Sequence, residues 1–194
     1  VWLRELRNRI PIRRPDFLRG APVRTPLLAP ALKTSRLMLR PYSMNDAADW
    51  FRIQSSPEVL EFLPWPRRSP TASRRHLRHR TRHTRLRYDG DFFALAVTHD
   101  GQVIGDISLH LRGTDPMSLG VEIGWLLLPE CTGLGYATEA ATAVLTLAFQ
   151  RLGAQWAAAI VHEDNRASLR LAERLGFAPV SRTPEGILRL VRQP

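Results

Sequence analysis

The elements legible in this 194-residue chain predict an α+β domain, and three observations carry that expectation. Short apolar runs of strand length alternate with segments of helical period, in the order strand, two helices, three antiparallel-type strands, helix, strand, helix, strands, making about seven strands. Asp100-Gly101 joins two of those runs in the manner of a hairpin turn. An apolar strand ending at Leu128-Pro129 passes through Gly133-Leu134-Gly135 into a long amphipathic helix, the layout of an anion-binding loop.

The length suits one domain of about 150 residues with an added segment. We expect the domain over 34–194, preceded by a loosely ordered extension over 1–33. Cys131 is the single cysteine, which excludes an intrachain disulfide framework and agrees with a reducing compartment. No run of about 18 apolar residues is present, and the arginine-dotted N-terminus lacks a signal peptide's apolar stretch. The expectation is a soluble, cytoplasmic protein without a membrane partner.

The net charge of +10 is unevenly placed. Residues 1–33 carry eight basic residues against two acids, and residues 67–87 carry nine arginines and no acid, which leaves the rest of the chain at −5. Lys33 is the only lysine, so the arginine excess partly reflects a bias of the whole chain.

Pro11, Pro15, Pro22, Pro26 and Pro30 interrupt the extension too often for a long helix. Trp2, Leu3, Leu6 and Ile10 form at most one amphipathic turn, and the segment reads either as a basic arm for an acidic surface or as an extension with no ligand. From Ser35 the pattern tightens into a first strand, with Leu37, Leu39 and Tyr42 alternating with polar positions. Ser43-Met44-Asn45-Asp46 has the form of a capping box, ahead of a helix whose inner face carries Ala47, Trp50 and Phe51. Phe62-Leu63-Pro64-Trp65-Pro66 breaks regular structure, and its aromatics either wall a cleft or plug the core.

The spacing of Ser73, Leu77, Thr81, Thr84 and Tyr88 predicts a helix over 71–88 with arginines on its other faces. So many like charges repel one another unless the body's carboxylates, RNA or a nucleotide phosphate offset them, or the face is simply solvated. The interspersed histidines have no cysteine or carboxylate near in sequence, and no metal site is expected. The hairpin strands over 91–98 and 103–111 follow, then a fourth strand over 121–128. After the glycine loop, Ala137, Ala141, Val144, Leu145, Ala148 and Leu152 form one apolar stripe that Gly153 ends. A buried fifth strand over 156–161, a helix capped by Asp164 or Asn165 and stopped by Gly176, and strands over 177–181 and 187–191 complete the chain.

Glu122-Ile123-Gly124, then Pro129-Glu130-Cys131-Thr132-Gly133-Leu134-Gly135-Tyr136-Ala137-Thr138-Glu139-Ala140, then Asn165-Arg166-Ala167-Ser168 ahead of Leu175-Gly176-Phe177 stand in order on strand, loop-helix and helix. In this the chain resembles the GNAT superfamily of acyl-CoA N-acyltransferases over about residues 34–192. Within it the likeness is closest to the ribosomal-protein N-terminal acetyltransferases of the Rim type. The resemblance implies a GNAT fold, with a central mixed, mostly antiparallel sheet, helices on both faces, and a splay between the fourth and fifth strands. It implies acetyl-CoA as cofactor. Backbone N–H groups of Thr132, Gly133, Leu134, Gly135, Tyr136, Ala137 and Thr138 would hold the pyrophosphate, the strand edge at Leu126, Leu127 and Leu128 would meet the pantetheine, and Asn165 would contact it too. Asn165 is equally suited to capping the helix that follows it.

Two departures from the family pattern stand out. Glu130 occupies a position where many members carry Gln or Arg, so a side-chain donor to phosphate is missing and the loop is expected to bind through its backbone. Ala172 replaces the tyrosine that many members use as general acid, and the resemblance points to Ser168 instead, a residue that also has the option of bonding back to its own helix. Glu122, beside the cofactor strand, is the candidate base or water-orienting group, with a structural pairing to an arginine as its other reading. Cys131 offers an acyl-enzyme route, because a helix N-terminus lowers a thiol pKa.

The implied reaction is attack of a neutral amine on acetyl-CoA in a ternary complex. At pH 7 an α-amine is neutral about one time in ten and a lysine about once in 2,500. A sparse set of bases thus favours a protein N-terminus as acceptor, with ribosome or RNA proximity through residues 67–87, as a monomer or homodimer. The alternatives are a small amine such as an antibiotic, polyamine or amino acid, or a non-catalytic RNA-binding protein on the same fold.

Overall fold

A computed structural model describes residues 19–194. In chain order the elements are β1 (Leu27–Leu28), β2 (Leu32–Lys33), β3 (Met38–Pro41), α1 (Ala47–Ser55), α2 (Pro57–Leu60), α3 (Pro70–Thr81), β4 (Arg85–Leu86), β5 (Phe92–His99) and β6 (Gln102–Arg112). Then come β7 (Gly120–Leu127), α4 (Tyr136–Leu147), β8 (Trp156–His162), α5 (Arg166–Arg174), β9 (Ala178–Arg182) and β10 (Ile187–Arg192). The main sheet has eight strands in the order β2-β3-β5-β6-β7-β8-β10-β9. All its pairings are antiparallel except β7 with β8. The seven expected strands are all there, with the two-residue β2 added at the edge.

Period-two alternation sends the side chains of the central strand β5 to two separate cores. On β5, Phe93, Leu95 and Val97 pack with Ala141, Val144 and Leu145 of α4, while Ala94 and Ala96 face Trp50 and Ile53 of α1 and Leu77 of α3. Burial on both faces is why this strand reads as one apolar run. Trp50 and Ile53 are fully buried, and side chains of this kind contribute about 1.5–3 kcal/mol each by leaving water.

Local signals are realised where their partners are close in sequence. Ser43 caps a 3-10 turn, Met44–Asp46, that leads into α1, and the Asp46 carboxylate accepts the Ser43 N–H at 2.7 Å, completing the capping box. Asp100 and Gly101 adopt φ of 49° and 81° in the β5–β6 turn. The stripe of α4 continues through a π turn, Ala148–Leu152, and ends at left-handed Gly153.

Two expectations change. The arginine-rich helix stops at Thr81, not Tyr88. Ser69 caps it and Pro70 begins it, but beyond Arg82 the backbone turns and Arg85–Leu86 pairs with Leu27–Leu28. The pairing partner lies in the segment expected to be a loose extension. From residue 19 onward that segment is packed: Val23 is buried, its N–H donates to Arg87 at 2.8 Å, and Ala29 N–H donates to Thr84 at 2.8 Å. The prolines confine β1 and β2 to two residues each without preventing them. The short turn expected at Trp2–Ile10 lies outside the described residues. Among the described residues no helix is long and apolar enough to cross a membrane, and no cluster of metal-ligating side chains occurs.

Candidate active site

The parallel pair β7–β8 holds for three residues only, Gly120 with Trp156, Val121 with Ala157 and Glu122 with Ala158, and then the strands part. Gly120 is required at the closed end, since a Cβ there would lie 2.0 Å from the Trp156 ring. Beyond Glu122, among the described residues, neither strand has a partner on its facing edge. A cavity of about 140 Å³ opens there, lined among others by Phe62, Trp65, Asp106, Ser108, Asn165 and Ser168. Leu126 and Leu127 are half-buried on the β7 side of the opening. Leu128 is not available there: its side chain is buried against α1 and its N–H donates to Ile104 at 2.9 Å.

Asn165 caps α5, its side-chain oxygen accepting the Ser168 N–H at 3.0 Å. That leaves the amide NH2 of Asn165 on the cavity wall with its donors unspent. Ser168 Oγ accepts the indole N–H of Trp125 at 3.2 Å. The hydroxyl is thus tied to β7 and not to its own helix, and its proton stays free to donate.

Glu122 shares a face of β7 with Gly124 and Leu126, opposite His110, Ser108 and Asp106 of β6. Its carboxylate accepts from Arg112 at 3.1 Å, so the arginine pairing is present. His110 lies beside it, 3.3 Å from Ser108 Oγ and stacked on Phe92 at 5.2 Å. Burial first, then Arg112 and Arg80, hold His110 neutral with a pKa lowered to about 3.

The glycine loop has the conformation that anion binding needs. Gly133 and Gly135 take φ of 76° and 83°, values an L side chain rarely adopts. Gly135 is the N-cap of α4 and no side chain caps the helix, so the first-turn N–H groups of Tyr136, Ala137 and Thr138 meet no capping side chain at the positive end of the helix dipole. The Thr132 N–H, by contrast, is spent on Pro129 at 3.1 Å. Leu134 is exposed, and its carbonyl accepts from Arg36 Nη1 at 3.0 Å.

Arg36 is the residue the sequence reading missed. It lies in the turn before β3, its guanidinium packs 4.6 Å from the Tyr136 ring centre, and its Nε donates to Glu139 at 2.8 Å. Glu139 also accepts from Thr34 Oγ1, Ser35 Oγ and the Arg36 N–H. These bonds outweigh desolvation and bring its pKa down to about 2. Arg36 thus brings a side-chain cation, paired with Glu139, against the glycine loop from about a hundred residues upstream. Nothing local in the sequence marks it. Tyr136 is further fixed by a 3.1 Å bond between its hydroxyl and His99 Nε2.

Cys131 sits in a 3-10 turn ahead of the loop, Pro129–Cys131, and not at the helix start. Burial and Glu130 push its thiol up from its ordinary value, the reverse of the expected activation. Trp65 fulfils both readings, since it lines the cavity and also packs at 6.1 Å on buried Trp50, whereas Phe62 lines the cavity without joining the core.

A family model for the acetyltransferase (GNAT) domain matches residues 36–178. The chain belongs to the GNAT acetyltransferase family. It is 28% identical over 160 residues to the uncharacterized N-acetyltransferase YoaA of Bacillus subtilis, covering 82% of this chain and 86% of that one. An acetyltransferase structure from Agrobacterium tumefaciens is 27% identical with a TM-score of 0.67, covering 87% and 96%. RimL, a ribosomal L7/L12 alpha-N-protein acetyltransferase in complex with coenzyme A, has the same fold, with a TM-score of 0.71 at 16% identity over 86% of this chain and 98% of that one. The GNAT chain described here is an N-acetyltransferase by family, and the expected α+β architecture with its parted strands is the one observed.

Proposed function

We propose that this GNAT protein transfers an acetyl group from acetyl-CoA to an amine, and that the acceptor is the α-amine of a protein. The observation that carries the reading is the parting of β7 and β8 beyond Glu122, with Asn165 and Ser168 on the wall of the opening and an uncapped helix start at Gly135. These groups fit coenzyme A: left-handed glycines and first-turn N–H groups suit a pyrophosphate, and unpaired strand edges suit the amides of pantetheine. Acetyl-CoA supplies the activated acetyl group and a thiolate leaving group. Arg36 adds positive charge beside the loop, in place of the donor absent at Glu130.

In this reading Gly133, Gly135, Tyr136, Ala137 and Thr138 bind through backbone N–H groups, and Leu126 and Leu127 through the strand edge. Asn165 orients the cofactor arm with its free amide. Ser168 holds the proton destined for the leaving group at Oγ. Glu122, already held by Arg112, orients water at the acceptor amine. His110 does not serve as the base, because its environment keeps it neutral and weakly basic.

A protein acceptor is supported by the likeness to RimL and by the surface beside the site. Seven described arginines, among them Arg36, Arg40, Arg80 and Arg112, pair with the body's carboxylates. Arg74, Arg75, Arg78, Arg82 and Arg85 are exposed and take none of those acids, which suits proximity to RNA or the ribosome. An acceptor screen of peptide N-termini against polyamines, aminoglycosides and amino acids, followed by coenzyme A release, tests the proposal. Peptide N-termini are expected to be acetylated with the highest kcat/KM, and turnover confined to small amines refutes the protein acceptor.

A further inference from the structure

Gly105, Gly120 and Gly124 lie in strands of the main sheet, and packing accounts for the first two. A Cβ at Gly105 would run into the Leu126 carbonyl and the Leu127 side chain, and one at Gly120 into the Trp156 ring. At Gly124 of β7 the one described atom within 4 Å of such a Cβ, its chain neighbours aside, is Ser108 Oγ at 2.9 Å. The space above this glycine is otherwise open, and it belongs to the cavity that Gly124 and Ser108 both line. A glycine inside a strand forgoes packing and marks a place where a ligand or another backbone comes close. No other described backbone approaches Gly124, so the place above it is left for a ligand.

The polar groups on this side of the sheet narrow what part of a ligand that is. Along β7, Trp125 packs into the core under α4 and Leu126 into the core under α1, so by alternation Gly124 faces the α1 side. Ser168, bonded to Trp125, stands on the other. The gap between β7 and β8 thus has a serine hydroxyl on each side. On the Gly124 side the cavity also meets Asp106 and His162. Asp106 is buried, with both oxygens bonded to Arg80. His162 accepts the Asp164 N–H at Nδ1 across 3.2 Å, which leaves the other nitrogen of the neutral ring carrying a proton. Ser108 is half-buried, and its Oγ lies 3.3 Å from His110 Nε2. Whichever of the two donates in that bond, Oγ keeps at least one lone pair. A hydrogen-bond acceptor, held in place by His110, therefore stands beside the open space over Gly124.

We infer that Ser108 holds the acceptor amine, its Oγ accepting an N–H of the attacking nitrogen while that nitrogen sits over Gly124. The inference rests on the acyl-transfer reading above and adds to it a residue that touches the acceptor. A neutral amine attacks through its lone pair, and an N–H anchored at Ser108 turns that lone pair towards the thioester carbon in the gap. The amine enters from the α1 side, and Ser168 meets the departing sulfur from the α5 side. As the C–N bond forms and the C–S bond breaks, the thiolate takes the Ser168 proton and the nitrogen gives up one proton to the water at Glu122, on the same face of β7 as Gly124. Ser168 regains a proton from solvent, and Ser108 keeps its own throughout. The contact is to the reacting N–H and not to the rest of the acceptor, so it serves a peptide N-terminus and a small primary amine alike.

Two measurements test it, and the first needs neither turnover nor a known acceptor. Coenzyme A alkylated at sulfur with an N-methylacetamide group carries the new C–N bond with one N–H, and its N,N-dimethyl counterpart carries none. The unmodified protein is expected to bind the N–H compound about tenfold more tightly by calorimetry. That ratio should fall towards one in Ser108→Ala, while coenzyme A itself binds both proteins equally. Equal binding of the two compounds by the unmodified protein, or a ratio retained in Ser108→Ala, overturns the amine site. In the second, with the amine acetylated fastest in the acceptor screen, kcat/KM for the amine should fall about tenfold or more in Ser108→Ala with the KM for acetyl-CoA unchanged. Gly124→Ala fills the space over the glycine and should lower it as far or further, again without loss of coenzyme A affinity. Full activity in either variant overturns the site. Failure to bind coenzyme A or either derivative retracts the acyl-transfer reading and the amine site with it, whereas coenzyme A binding without the N–H preference retracts the amine site alone.

Discussion

Trp125 donates its indole N–H to the Ser168 hydroxyl across 3.2 Å, tying β7 to α5 over the gap where β7 and β8 part. The bond uses a lone pair of Oγ and leaves the hydroxyl proton pointing elsewhere. Ser168→Ala is therefore expected to lower kcat about 100-fold, in the range for loss of a general acid, with little change in acetyl-CoA affinity. Trp125→Phe keeps the ring and loses the orienting bond, and a smaller fall of about tenfold is expected. Steady-state kinetics beside calorimetric coenzyme A binding separates the two effects, and unaltered kcat in Ser168→Ala removes the serine from the chemistry.

Glu122 is half-exposed and held by Arg112 at 3.1 Å. A surface pair of this kind is worth about 0–1 kcal/mol, so Glu122→Gln should leave the denaturation midpoint nearly unchanged. If it orients water at the amine, kcat/KM falls by about tenfold or more. Equal activity of the two proteins reduces Glu122 to the structural pairing.

At the glycine loop, Gly135→Ala places a side chain at φ 83°, where it costs about 1–2 kcal/mol and would meet Arg36 Nη2 at 3.3 Å. Coenzyme A affinity measured by calorimetry should fall by about tenfold. Arg36→Gln should weaken it as well, and more steeply at low ionic strength than at high. A substitution without effect on coenzyme A places the pyrophosphate elsewhere.

The buried Arg80–Asp106 pair joins α3 to β6 with both side chains under a tenth exposed. Removing one partner strands the other charge, so Asp106→Asn or Arg80→Met should each destabilise the protein by about 3–5 kcal/mol in urea unfolding. The double substitution Arg80→Met with Asp106→Leu should recover much of that loss, since an apolar pair of similar volume removes both desolvation costs. Single variants as stable as the parent refute the pairing.

His76 and His110 both have pKa values brought down from 6.5 to about 3, chiefly by burial. Between these values the unfolded chain binds protons that the folded one refuses, so stability falls as pH drops. The contribution of the neutral imidazoles is fully present above about 6.5 and lost progressively towards about 3. The expected slope is up to about 1.4 kcal/mol per pH unit for each ring, read from urea midpoints across that window. NMR titration should show both imidazoles still neutral at pH 5.

The sequence alone determined what depends on near neighbours. The capping box at Ser43 and Asp46, the Asp100-Gly101 turn, the apolar stripe of α4 with its Gly153 stop, and the Asn165 cap were legible because each signal and its partner lie within a few residues. The three separated motifs were enough to indicate the family. The tertiary structure decided everything that needed a distant partner. It shortened the arginine helix by giving residues 85–86 a strand at 27–28 to pair with, and it turned the one arginine of that helix facing Asp106 inward. It brought Arg36 to Glu139 and the glycine loop, and it packed Arg68 on Trp65, Trp65 on Trp50 and Trp50 under Arg80. Charge and hydrogen-bonding partners act over a few ångströms of space and carry no period along the chain, so a sequence can show an arginine but not the carboxylate that meets it.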